Sequence, residues 1–282
     1  VNNVVLSEQE YDQFCRFLEQ ASGIVLGTGK HYLVTSRLNR LVDELSFGSL
    51  SALLQQLSTN TDTRLKERVV DAMTTNETMW FRDTYPFEVL KRHLLPELGS
   101  KSTSALRIWS AACSSGQETY SISMTVSEFN QSNPGALRRS VEIVGTDISP
   151  SVLTVARSGV YDDMSVARGL SEERRQRFFR QRDKAWELNT EIRGRTRFTD
   201  LNLLGSYALM GRFDIIFCRN VLIYFSADIK RNILTRMAQA LNPGGYIFVG
   251  GSESPMGYCD AFEMVRLKEG VVYKRKENWK PS

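Results

Sequence analysis

The chain has 282 residues, room for one large domain or two modest ones. Its apolar share of 41% and charged share of 24% are those of an ordinary soluble globular protein, and no stretch approaches the roughly 18 apolar residues of a membrane span. A net charge of +4 is too small to imply nucleic-acid binding by itself. Cys15, Cys113, Cys218 and Cys259 stand far apart with no Cys-x-x-Cys pair, which argues against a disulfide framework or a zinc site. With His31 and His93 as the only histidines, no metal is expected. The opening Val-Asn-Asn-Val-Val-Leu-Ser-Glu lacks the basic and apolar regions of a signal peptide, so a cytoplasmic setting is the expectation.

In chain order, the first hundred residues read as helices. Ser7 and Glu10 have capping-box spacing, and Tyr11, Phe14, Cys15 and Leu18 follow at i, i+3, i+4 and i+7. Gly27 and Gly29 break the chain before a second helix striped by Val34, Leu38, Leu41 and Leu45. Helices near 49–58 and 62–74 complete a predicted N-terminal domain over 1–75, with a linker over 76–100. From 101 to 282 the pattern changes. Short apolar, β-rich runs at 105–110, 141–146, 213–218 and 246–250 alternate with helical stretches near 117–130, 150–158 and 227–241. This alternation indicates an α/β domain with a mostly parallel sheet covered on both faces. Ser149-Pro150 is a helix start, Asn242-Pro243-Gly244-Gly245 a turn, and 262–265 with 271–273 a closing hairpin.

Residues 165–200 hold ten Lys and Arg against six Asp and Glu, the whole of the net excess. A solvated helical face accounts for such a run on charge patterning alone. The segment is too long for a simple connection between strands, so an inserted subdomain is expected, with 185–189 and 192–198 as a small antiparallel ribbon.

Open α/β sheets bind ligands beyond the carboxyl ends of their strands. The first strand ends in Trp109-Ser110-Ala111-Ala112-Cys113-Ser114-Ser115-Gly116-Gln117-Glu118, a run of small side chains that allows close backbone approach. The same residues serve tight packing, and the loop alone does not separate the two readings. It has one glycine, so the Gly-x-Gly-x-x-Gly dinucleotide pattern is absent. Asp147, at the end of the second strand, can accept hydrogen bonds from ribose hydroxyls or cap the next helix, although Ser149 is better placed to cap. Asp147 also lies well beyond the roughly 20 residues expected of a dinucleotide site. A nucleoside ligand without a pyrophosphate fits better. S-adenosylmethionine is such a ligand, and its ammonium suits Glu118 at the start of the first sheet-domain helix. The helix dipole also favours a carboxylate there, ligand or not.

Four long motifs then point one way. Thr74-Thr75-Asn76-Glu77-Thr78-Met79-Trp80-Phe81-Arg82, residues 109–121, Gly145-Thr146-Asp147-Ile148, and Phe217-Cys218-Arg219-Asn220-Val221-Leu222-Ile223-Tyr224-Phe225 strongly resemble the CheR family of chemotaxis receptor methyltransferases. The resemblance implies a seven-stranded class I methyltransferase sheet under a helical N-terminal domain, with S-adenosylmethionine as cofactor and S-adenosylhomocysteine as product. By motif it implies that Asn76, Thr78 and Arg82 line the methyl-transfer region, with Ala111 in the cofactor loop. Glu118 would hold the ammonium, Asp147 the ribose, and Asn202 and Leu203 the adenine, while Arg219 and Asn220 contribute after the fourth strand. Two positions depart from many members: Trp80 stands for Phe, and Gln117 for Glu, leaving Glu118 the only acid in its loop.

The implied reaction, esterification of a receptor glutamate, fits these residues. A carboxylate with a reference pKa near 4.3 is already ionised at neutral pH, so no general base is needed. What it needs is in-line positioning and a dry site. Arg82 is the first candidate to hold the substrate carboxylate, and Tyr224 the second. Cys113 and Cys218 are expected to be small core-like residues and not nucleophiles. In the family the second helix faces the acidic methylation helices of the receptor, which makes Arg37 and Arg40 candidate docking residues. The 185–198 ribbon is a candidate site for the receptor's C-terminal tail, added as a strand. A monomer, without nucleic acid or membrane insertion, is expected. A nucleic-acid amino-methyltransferase is disfavoured because Arg219-Asn220-Val221-Leu222 lacks the prolines of that motif, and a nicotinamide dehydrogenase by the missing glycines. The rival readings are an inactive cofactor-binding sensor or scaffold, and methylation of a receptor outside motility.

Overall fold

A computed structural model describes residues 6–59, 62–100 and 104–281. Helix α1 (Glu8–Ser22) opens with the expected capping box: Glu10 N donates to Ser7 Oγ at 3.3 Å, and Ser7 N to the Glu10 carboxylate at 3.0 Å. Helices α2 (His31–Glu44), α3 (Leu50–Thr59) and α4 (Thr63–Met73) follow. Their apolar stripes meet in a core of their own, in which Leu18, Val34, Leu38, Leu53 and Val69 are fully buried.

After a linker, α5 (Tyr85–Val89) runs through a π-helical turn at Leu90–Leu94 into α6 (Leu95–Gly99). The sheet domain then proceeds through β1 (Leu106–Ala111), α7 (Gln117–Ser132), β2 (Val141–Asp147) and α8 (Pro150–Ser158). An insertion carries β3 (Val160–Asp162), α9 (Asp163–Ala167), α10 (Glu172–Phe178), β4 (Phe179–Arg182), β5 (Ala185–Leu188) and α11 (Thr190–Arg193). The chain returns with β6 (Thr196–Asp200), β7 (Phe213–Cys218), α12 (Ala227–Ala240), β8 (Leu241–Val249), β9 (Phe262–Arg266) and β10 (Val271–Arg275).

Seven strands form the main sheet in the order β6-β2-β1-β7-β8-β10-β9. The first five are parallel, and the β9–β10 hairpin closes the sheet antiparallel. One face packs Leu106, Ile108, Ile143, Ile215 and Phe217 beneath α7 and the helices before β1. The other packs Trp109, Val144, Ile216 and Ile247 beneath α12. At the strands' amino ends, buried Arg139 donates to Asp214 at 3.0 Å and to the carbonyls of Ser104 and Ala105, tying the starts of the central strands β1 and β7 together.

Two sequence expectations are corrected. Residues 192–198 do not form a ribbon with 185–189. Instead β5 is the centre of a three-stranded antiparallel sheet ordered β3-β5-β4, while 190–193 make a helical turn and β6 joins the main sheet beside β2. The insertion therefore starts at Val160, before the basic run. Asn242–Gly245 is no free turn either: β8 already begins at Leu241, and its pairing with β7 slips register between Phe213 and Ile215.

Most of the insertion's positive charge is spent internally. Of the ten cations in 165–200, seven form ion pairs, among them Arg168–Glu77 at 2.7 Å, Arg174–Glu128 at 2.7 Å and, on β6, Arg197–Glu142 at 3.2 Å. Trp80, fully buried, joins insertion to linker: its Nε1 donates to the Ser165 carbonyl at 3.0 Å, and its ring meets Tyr161 and Phe179 edge-on. Gly169 (φ +92°) lies so close beneath that a Cβ would run into the Trp80 carbonyl.

Candidate active site

The chain runs from β1 outward through β2 to β6, then crosses back to β7. The carboxyl ends of β1 and β7 therefore flank the point where strand order reverses, and a cleft of about 1230 Å³, part of it open to solvent, lies there. Three short segments form its walls: the linker 78–84, the turn 112–116 after β1, and the turn 219–225 after β7. They hold six of the eight non-glycine residues with left-handed φ among the described residues, namely Phe81, Asp83, Thr84, Ala112, Ser114 and Asn220. Such backbone costs on the order of 1–3 kcal/mol per residue and concentrates at functional sites. Gly116 (φ +93°) is required as well, because a Cβ would lie 3.0 Å from Ala156 Cβ and 3.2 Å from the Tyr161 hydroxyl.

The helical domain roofs the cleft with Ser22, Ile24, Val25, Leu26, Leu33 and Arg37. Four contacts hold this roof. Asn202 Nδ2 donates to the Ala21 carbonyl at 2.7 Å, and Val25 N to the Tyr224 carbonyl at 2.9 Å. Asp71 accepts from the hydroxyls of Ser149 and Ser151. Arg37 donates to the carbonyls of Met73 and Thr74 and to Thr75 Oγ1, binding α2 to the start of the linker.

Beneath the roof, the Asp147 carboxylate accepts from Ser114 N at 2.8 Å and Ser149 N at 3.0 Å. Burial pushes its pKa above the ordinary aspartate value, against the pull of those N–H groups. Ser149, as expected, caps α8. Glu118 accepts from Ser110 Oγ at 2.8 Å and from Arg219 Nη1 at 2.9 Å. Arg219, with a side chain 1% exposed, also donates to Asp83 Oδ2 at 2.6 Å and to the Arg82 carbonyl at 2.9 Å. Its Nε is buried without a hydrogen-bond partner among the described residues. One buried cation thus stands between two carboxylates, leaving an excess negative charge that suits a further cation.

The groups expected to do chemistry are bound far more loosely. Among the described residues the Arg82 side chain makes a single long hydrogen bond, 3.5 Å from Nη1 to the Glu77 carbonyl. The Thr78 and Tyr224 hydroxyls line the cleft and make no hydrogen bond among the described residues. Burial pushes the Cys113 and Cys218 thiols well above their ordinary pKa, so both are neutral thiols and not thiolate nucleophiles.

Of the residues singled out from sequence, Asn76, Thr78, Arg82, Glu118, Asp147, Asn202, Leu203, Arg219, Asn220 and Tyr224 all line the cleft. Ala111 does not. It ends β1 inside the sheet core, and Ala112, Cys113 and Ser114 form the wall instead. Arg37 and Arg40 have different surroundings: Arg37 lines the cleft in the roof, whereas Arg40, 89% exposed, pairs with Glu44 at 2.7 Å. Sequence reasoning missed Asp83, Asp71 and the 22–26 roof, and gave no role to Ser110 although it stands in the motif at the end of β1. The first three lie in no pattern that marks a ligand, and matter only through their contacts across the fold.

The cleft fits S-adenosylmethionine. Asp147 keeps lone pairs for ribose hydroxyls, and Ile148, Leu201 and Leu203 offer apolar surface for a base. The excess negative charge around Glu118 suits an ammonium, and no glycine cradle for phosphate is present. The family described as "CheR methyltransferase, SAM binding domain" matches residues 76–271, and "CheR methyltransferase, all-alpha domain" matches residues 9–74. A chemotaxis protein methyltransferase of Vibrio parahaemolyticus is 53% identical over 97% of this chain and 99% of its own length. Chemotaxis protein methyltransferase 1 of Pseudomonas aeruginosa is 52% identical over 95% and 98%. The chemotaxis protein methyltransferase of Salmonella typhimurium is 34% identical over 89% and 85%. With both halves of the chain matched and a cleft that fits the cofactor, this protein belongs to the CheR methyltransferase family and its cofactor is S-adenosylmethionine.

Proposed function

We propose that the enzyme methylates glutamate side-chain carboxylates of chemotaxis receptors, forming methyl esters for sensory adaptation. The relatives' names supply the receptor pathway. The observation that carries the glutamate is the contrast in commitment within one cleft. Arg219, Glu118 and Asp147 are tied into the protein, whereas Arg82, Thr78 and Tyr224 are left almost unbonded. A guanidinium with two hydroxyls is the complement of a carboxylate.

The bound cofactor supplies an electrophilic methyl group. Arg82 grips the substrate carboxylate and Tyr224 aligns it, which converts encounter into in-line attack. No residue removes a proton, because the substrate is already an anion. The helical roof keeps water from the carboxylate and the sulfonium, whose charges are consumed as the ester forms. Glu118 holds the ammonium and Asp147 the ribose. Asn202 acts on the adenine end chiefly through its bond to Ala21.

In this reading the enzyme works as a monomer on the cytoplasmic part of the receptor. No helix among the described residues is long and apolar enough to cross a membrane. Arg40, exposed on α2, meets the receptor's acidic helices, while Arg37 contributes through the linker. The open edges of the small sheet, β3 and β4, provide room for a receptor tail as an added strand. The test is proteolysis and mass spectrometry of chemoreceptor membranes incubated with enzyme and cofactor. Methyl groups on glutamate side chains, absent when those glutamates are replaced by alanine, are expected. Methyl groups confined to lysine or arginine nitrogen would refute the proposal.

A further inference from the structure

We infer that Glu253, outside the cleft wall, is a positioning residue that fixes the turn carrying Asn220 and Tyr224. The inference takes its activity readout from the function proposed above. The turn after β7 contains a single 3₁₀ turn, Leu222–Tyr224, too short to satisfy its own backbone. Tyr224 N and Phe225 N bond within the turn, but the N–H groups of Asn220 and Ile223 go to a carboxylate about 30 residues away. Glu253 Oε2 accepts from Asn220 N at 2.7 Å, and Oε1 from Ile223 N at 3.1 Å. The same Oε2 accepts from Gly250 N at 2.6 Å, so one side chain ties the turn after β7 to the turn after β8.

The approach is tight enough to dictate the neighbouring residue. A Cβ on Gly250 would lie 2.6 Å from Glu253 Oε2, 2.8 Å from Asn220 Nδ2 and 3.0 Å from Asn220 N. Asn220 itself holds a left-handed φ of +59°, which needs external support. Glu253 N closes its own loop on the Gly250 carbonyl at 2.8 Å, and the Tyr273 hydroxyl reaches Ser254 Oγ at 3.4 Å. The carboxylate is thus anchored on β8 and β10, the rigid part of the fold, and exports that rigidity to the cleft. Tyr224 has no hydrogen bond of its own to set its hydroxyl, so the turn's backbone is what aims it.

The test is Glu253→Gln, which keeps the shape but turns an amide N–H against one of the three backbone donors. At saturating cofactor and receptor, kcat should fall about 10- to 100-fold, as a small misplacement costs. S-adenosylhomocysteine affinity by calorimetry should fall far less than kcat, since Asp147 and Glu118 are untouched even though Asn220 moves. Hydrogen exchange should show the amides of Asn220, Ile223 and Gly250 protected in the wild type and exposed in the variant, with β1 and β2 unaffected. Gly250→Ala should give the same kcat loss, and the double variant less than the product of the two. Wild-type kcat in Glu253→Gln, or a loss that merely tracks weaker cofactor binding, would overturn the inference. Exchange reports on the turn without any receptor. A wild-type enzyme inactive on receptors but with these amides protected would therefore indict the proposed substrate and not Glu253.

Discussion

Arg82→Ala separates catalysis from structure in this cleft. The wild-type guanidinium makes one contact at 3.5 Å, so its loss should change stability by no more than about 0.5 kcal/mol, as at an ordinary surface position. For a chain of this size that moves Tm by no more than about 2 °C. Its proposed task is different, because truncating one partner of a desolvated carboxylate pair costs about 2–5 kcal/mol. Since about 1.4 kcal/mol is a factor of ten, kcat/KM for receptor methylation should fall by about 30- to 5000-fold. Cofactor affinity should stay within about tenfold, because Asp147 and Glu118 still hold ribose and ammonium. The assay combines labelled-methyl transfer to receptor membranes, calorimetry with S-adenosylhomocysteine, and thermal unfolding. Arg219→Ala is the contrasting variant. It strips Glu118, 14% exposed, of its cation and should lower Tm and cofactor affinity together. Near-wild-type turnover in Arg82→Ala would remove that residue from the mechanism and with it the reasoning from uncommitted groups.

Other outcomes follow from particular contacts. Binding to ribose hydroxyls needs the ionised Asp147, and burial raises its pKa, so cofactor affinity should be flat at neutral pH and fall on acidification. The fall should begin above the range of an ordinary aspartate, and calorimetry across acid pH should find that limb missing in Asp147→Asn. Trp80→Phe, the residue many relatives carry, strips the Ser165 carbonyl of its 3.0 Å donor and should cost about 1–3 kcal/mol by denaturant unfolding. Arg40→Glu should raise KM for receptor without changing cofactor affinity, and an unchanged KM would end its docking role. Arg37→Ala should instead weaken cofactor binding, because the roof loses its bonds to 73–75.

Much of the fold is legible in the chain because its strongest signals are local. The run 213–218 matches β7 at both ends, since a doubly buried parallel strand is apolar throughout. Helices α8 and α12 announce themselves by periodicity, and α8 also by Ser149-Pro150. Of the small sheet only β5 is legible as a strand, because β3 is three residues long and β4, Phe-Arg-Gln-Arg, has only one buried side chain. β6 is legible as a strand, within 192–198, but as part of the small ribbon and not of the main sheet. It is the edge of the main sheet with no buried residue, so its apolar content is too low to mark it as a core strand. The two acids proposed to hold the cofactor were legible because Asp147 ends a clear strand and Glu118 starts a clear helix. Asp83, Asp71 and Glu253 were not, because each works through a partner 30 to 140 residues away that no spacing rule connects.

The measurement that tests the central claim most directly is transfer of labelled methyl from S-adenosylmethionine to chemoreceptor-containing membranes, followed by a mild alkaline wash. The account predicts label on the receptor that leaves as methanol, because carboxyl esters hydrolyse where N-methyl groups persist. Label that survives alkali, or no label in a protein that binds the cofactor normally, would contradict it.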